Sequence, residues 1–195
     1  NEKKQELGLF YSRAMNALIV LLTVGAILII SASNIIFPVM VSESYAESFY
    51  IIPIYILVAI LSVLSGFLGQ IYAALKRTNV LTISTMTACL INVVLVPTLI
   101  PVWGLKGAVV AMLISYATNV VLRMYLIQRY VKISLNKYQI VFFTLLIALS
   151  VITYYLVGAG WNLLFAMVVV TSFVIYYREF LLSMFKQLSE KVLKR

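Results

Sequence analysis

Six long runs of the chain carry almost no charge, and this constrains the fold more than any other feature. The runs cover residues 17–37, 48–75, 80–103, 107–127, 138–157 and 161–177, here called A to F, and Lys, Arg, Glu and turn residues collect mainly between them. A run of this kind, about 20 residues long, matches the roughly 30 Å hydrocarbon core of a bilayer when wound as a helix. In hydrocarbon every backbone N–H and C=O must be satisfied within the protein, which a single helix does alone. A membrane β-barrel would instead show short segments of alternating polarity, and none are present. The expected fold is all-α: a polytopic bundle of six transmembrane helices. Composition agrees, with 64% hydrophobic and 11% charged residues and a mean hydropathy of +1.07, far from the roughly quarter-charged make-up of a soluble domain.

The cations predict an orientation. If the chain ends, the B–C turn and the D–E loop face the cytoplasm, all of the 15 basic residues except Lys106 lie on that side, as the positive-inside rule requires. The A–B loop, with Glu43 and Glu47, has no Lys or Arg. Spread among loops in this way, the net charge of +9 matches an anionic membrane face. It is not the single basic face of a nucleic-acid binder. Tyr45, Phe49, Tyr50, Trp103, Tyr154, Tyr155 and Trp161 fall near the outer ends, and Tyr72, Tyr130, Tyr138, Tyr176 and Tyr177 near the inner ends, as interfacial belts. Residues 1–16 are read as a cytoplasmic segment, 17–127 as four core helices, 128–180 as two peripheral helices, and 181–195 as an amphipathic tail presenting Leu181, Phe185, Leu188 and Val192. Because residue 1 is Asn and no signal peptide follows, the chain is expected to be part of a longer protein.

Catalysis has little to work with. There is no His or Asp, the six acids are all Glu outside the apolar runs, and Cys89 is the single cysteine. General acid–base pairs, triads, disulfides and zinc clusters are therefore not expected, nor is a cofactor. Polar residues instead form stripes. Run C carries Thr78, Thr82, Thr85, Cys89 and Asn92 on one face, and run D carries Gly107, Ala111, Ser115, Asn119 and Arg123 at steps of four. Run B offers Ser62, Ser65, Gly66, Gly69, Gln70 and Ala73. Such stripes serve either close helix packing and interhelical hydrogen bonds or a solvated path. Arg123, inside its run, either snorkels to the interface or belongs with the polar face below Ser115 and Asn119. Pro97 and Pro101 predict a bend near Val93 and a helix stop near Pro101.

The stretch SGFLGQIYAALKRTNVLTISTMTACLINVVLVPTLIPVWGLKGAVVAMLISY resembles the Wzx-type polysaccharide flippases of the multidrug/oligosaccharidyl-lipid/polysaccharide exporter superfamily. Gly69, Lys76, Asn92, Leu99, Ile100, Pro101, Gly104, Gly107 and Ala108 carry the likeness; Val96, Pro97 and Val109 depart from it. The resemblance implies the C-terminal lobe of a two-lobed transporter in a bacterial inner membrane, with the N-terminal lobe missing. It implies export of an undecaprenyl-pyrophosphate-linked oligosaccharide for polysaccharide biosynthesis; Arg123, Asn119, Asn92 and Gln70, taken from the polar residues of runs B to D, are the candidate substrate-binding residues. A drug or metabolite antiporter of the same superfamily is the alternative, and a membrane glycosyltransferase a further one. The orientation is tested by labelling single cysteines in a Cys89→Ser background. An impermeant reagent outside the cell is expected to modify Ser44→Cys and Gly160→Cys and to spare Thr78→Cys and Ser134→Cys; modification at position 78 overturns the topology.

Overall fold

A computed structural model describes residues 2–40, 46–156 and 159–176. The described residues are helical apart from short turns: α1 (Glu2–Met40), α2 (Ala46–Phe49), α3 (Ile52–Ala74), α4 (Thr78–Ile127), α5 (Lys137–Leu156) and α6 (Ala159–Tyr176). Among them α1, α3, α4 and α5 are each long and apolar enough to cross a membrane, and 160–173 is a shorter apolar helix. The amphipathic tail expected over 181–195 and the acidic residue Glu43 lie outside the described residues.

Two elements differ from expectation. α1 is helical from residue 2, so most of the segment expected to precede the first span belongs to the same helix. It is held there because Ser12 Oγ accepts from the Ser134 backbone N–H at 2.9 Å and Asn16 Nδ2 donates to the Ser134 carbonyl at 3.4 Å. Runs C and D fall within the single 50-residue α4, yet this element is not straight. Ser84 and Arg123, 39 residues apart, are hydrogen-bonded at 3.0 Å, whereas a continuous helix would separate them by about 58 Å.

The reversal is at Gly104, with φ 56° and ψ −136°, the only non-helical dihedrals inside α4. Helical dihedrals run through Pro97 and Pro101, so the break comes three residues later than Pro101. Only glycine adopts that backbone region without strain. After the turn the two arms are nearly in contact, since a Cβ on Gly107 would collide with the Leu99 carbonyl oxygen. The α3–α4 corner is different: Arg77 N–H bonds Tyr72 O and Lys76 N–H bonds Ala73 O, the paired bonds of a Schellman cap, with Lys76 at φ 56° where glycine is usual.

Contacts sort into two ends. At the basic end the core is Met15, Leu68, Ile71, Tyr72, Ile127, Val131 and Ile133, and Arg77 lies over the Tyr130 ring. At the opposite end Phe49 and Tyr154 stack at 4.7 Å, Tyr154 and Tyr155 hydroxyls donate to the Phe49 and Tyr50 carbonyls, and Lys106 lies over Tyr50. Rings predicted for one interface thus meet one another. The long segments α1, α3, the two arms of α4, α5 and α6 therefore alternate in direction. α3 packs on α4, while α1 packs on α3, α5 and α6.

Glycine substitution tests the hairpin. Gly104→Ala is expected to destabilise the detergent-solubilised protein by about 1–3 kcal/mol through backbone strain. Gly25→Ala, in a helix with nothing near the added methyl, should stabilise it by up to about 1 kcal/mol. Denaturant titration followed by circular dichroism reads both.

Candidate functional site

The stripe of run D is a packing face along its whole length. Gly107, Ala111, Ser115, Asn119 and Arg123 are all buried. Its small residues admit neighbouring helices closely, and Ser115 closes its own hydroxyl onto the Ala111 carbonyl at 2.8 Å. At its end Arg123 is 5% exposed. The side chain turns inward between α3 and the first arm of α4, so it does not snorkel. Nε donates to Ser84 Oγ at 3.0 Å, Nη1 to Ser65 Oγ at 2.9 Å and to the Ser65 carbonyl, and Nη2 to Thr85 Oγ1 at 2.9 Å. Its carbonyl accepts the Tyr72 hydroxyl at 2.8 Å.

Gly69 makes the space. A Cβ there would meet Arg123 Nη1 at 3.2 Å and Leu81 Cδ1 at 3.3 Å. The cation is thus held by neutral oxygens of two helical segments, and none of these partners carries a compensating charge. Taking a guanidinium out of water costs several kcal/mol; charge-assisted hydrogen bonds contribute about 1.5–3 kcal/mol each. The four together are large enough to offset the burial, and each one lost removes about 1.5–3 kcal/mol of that compensation.

The other candidate residues divide. Asn119 lies one turn above Arg123, buried, with Oδ1 lacking a partner among the described residues. Gln70 is exposed and Asn92 is half-buried, so neither belongs to the guanidinium's shell. The stripe of run C turns outward: Thr78, Thr82, Thr85 and Cys89 are exposed. Thr85 joins the two environments, because its exposed side chain receives Arg123 and donates to Leu81 O at 2.8 Å. Ser84, off the predicted stripe, is the buried partner; its spacing of four from Ala88, also buried, was the available signal for the packing face.

A second polar cluster escaped prediction. Near the aromatic end Ser31 donates to Asn162 Oδ1 at 2.9 Å, Thr153 to the same oxygen at 3.4 Å, and Ser150 is wholly buried. This cluster ties α6 and α5 to α1. Its signal was the lone amide inside run F, Asn162. No metal-binding group of His, Cys, Asp or Glu exists among the described residues.

Comparison with protein-family models, with curated proteins and with solved structures gave no significant match.

A double-mutant cycle tests the bracing. Ser84→Ala is expected to cost about 1.5–3 kcal/mol by orphaning an Arg123 N–H. In an Arg123→Met background the same change should cost under about 0.5 kcal/mol, giving a coupling above about 1 kcal/mol by denaturant titration.

Proposed function

We propose that the protein is a membrane transporter of the flippase type, moving an undecaprenyl-pyrophosphate-linked oligosaccharide across a bacterial inner membrane for polysaccharide biosynthesis, and that it is not an enzyme. In this reading the six helical segments are six crossings with the basic end in the cytoplasm, and the chain is the C-terminal lobe of a two-lobed protein. The observation that carries the proposal is the polar face of α3 and the first α4 arm laid over a buried cation. Gly66, Gln70, Thr78, Thr82, Thr85 and Cys89 are exposed along neighbouring helices, and Thr85 is hydrogen-bonded to Arg123 from beneath.

Polar residues on membrane helices face protein or water rather than lipid. The uncovered face therefore fits a substrate path closed on its far side by the other lobe. Arg123, without a carboxylate partner, gives that path a positive potential near the basic end, where a pyrophosphate would arrive. Four of its five N–H donors are taken by Ser65, Ser84 and Thr85 and the side chain is buried; the proposal therefore assigns direct contact to Gln70, Thr82 and Thr85 at the surface, with Asn92 further along the face and Asn119 beside Arg123 beneath. The residues of this face are neutral, which suits a large polyol headgroup better than a cationic drug.

Export in a strain lacking the protein is the test. Gln70→Leu combined with Thr82→Val changes only exposed positions, so membrane abundance and thermal stability should be unaltered. Export should nonetheless fall by about tenfold or more, as expected for lost hydrogen bonds to a charged ligand. Arg123→Lys should reduce export less than Arg123→Gln, which removes the charge. Unchanged export by the surface double variant overturns the proposal.

A further inference from the structure

α5 has two apolar faces, and one of them packs against nothing in the described chain. Val141, Leu145 and Leu149 point outward. Ile140, Phe143, Ile147 and Val151, at steps of three and four, instead face a cleft of about 690 Å³ whose far wall is Leu61 and Leu64 of α3 with Val120 and Met124 of the second α4 arm. Its volume is within the range of about 300–1,000 Å³ found for small-molecule sites. The cleft is set apart from the polar face of α3 and α4 described above.

Its chemistry selects an occupant. Thr23 and Thr144 are the only polar residues lining it, and each hydroxyl already donates to its own helix, to Ile19 O and Ile140 O at 2.8 Å. Neither hydroxyl keeps a donor for a polar ligand. On α5 the lining runs from Ile140 to Ile152, about 18 Å of helix, longer than one leaflet's share of a roughly 30 Å core. A bilayer fills such a cleft with an alkyl chain.

The basic end supplies a headgroup site. Leu135 and Ile140 line the cleft there, and Lys137, three residues before Ile140 on α5, lies on the same helix face. The hydrogen bond of Gln139 Nε2 to the Asn16 carbonyl and those of Ser12 and Asn16 to the 134–136 backbone fix this corner. Lys137 is exposed there, Arg13 and Lys132 are exposed at the same end of the bundle, and Glu6 is the one acidic residue exposed among the described side chains.

We infer that the cleft between α5 and the α3–α4 pair is a binding site for one acidic phospholipid, with an acyl chain along Ile140–Ile152 and the phosphate group beside Lys137. This inference is independent of the transported substrate.

The test reconstitutes the full chain into phosphatidylcholine vesicles containing a minor fraction of phosphatidylglycerol that bears a photoactivatable diazirine on one acyl chain. After illumination, cross-links should be about fivefold denser at Leu61, Met124 and Ile147 than at Leu145 and Leu164 on the outward faces. The same diazirine on phosphatidylcholine should label the cleft about fivefold less, the weight of a single basic residue near an anionic headgroup. Lys137→Gln should erase that headgroup preference while leaving outward labelling unchanged. Ala148→Phe, placing a ring in the cleft, should remove cleft labelling; if it fails to insert, Lys137→Gln still decides. Equal labelling of cleft and outward faces, or equal labelling by the two lipids, overturns the inference.

Discussion

The guanidinium of Arg123 is the point on which this bundle turns. It is a cation buried among neutral oxygens, and Ser65, Ser84 and Thr85 each offset part of the cost of that burial. Those three side chains belong to α3 and the first arm of α4, and the arginine to the second arm. One planar group therefore fixes the register of three helical segments, and the Tyr72 hydroxyl bonded to the Arg123 carbonyl adds a second point on the same axis. Apolar contact alone tolerates sliding of one helix along another. A five-donor fork does not.

Around this brace the molecule divides in two. α3 and α4 form a tightly registered group. α5 and α6 are gathered on α1 through the Ser31, Thr153 and Asn162 cluster at one end and the 134–139 loop at the other. The aromatic pairs of Phe49 and Tyr50 with Tyr154 and Tyr155 join the groups at the end away from the cations. The apolar cleft lies between them, where α5 stands off from α3 and α4.

Much of this architecture was legible in residue order. Charge-free length marks the helices, and the placement of Lys and Arg separates the two ends, because both signals are set by local composition. The run D stripe also read correctly as one face, since a step of four is fixed by helical geometry. What periodicity cannot reveal is which neighbour a face meets. The more polar stripe of run C turned outward while the single Ser84 beside it went inward, a choice made by the register of the arginine and by the room that Gly69 leaves. The turn at Gly104 was likewise displaced from the prolines. Proline within an apolar helix removes one bond and leaves the dihedrals helical, whereas the positive φ of Gly104 changes the direction of the chain. Asn162 was overlooked because a lone amide carries no period.

The tightness of the α4 reversal bears on how such a chain is made. With Leu99 already against Gly107, there is no extended loop between the arms, and Lys106 is the one basic residue near the bend. Neither arm can settle to its final depth before the other, because the glycine turn ties their ends within a few residues. In the proposed six-crossing topology the two arms enter the bilayer together, with a single basic residue near the tip. The arginine then meets its serines only when the trailing arm has been fully drawn in, so the last part of the hairpin to be synthesised locks the part made first.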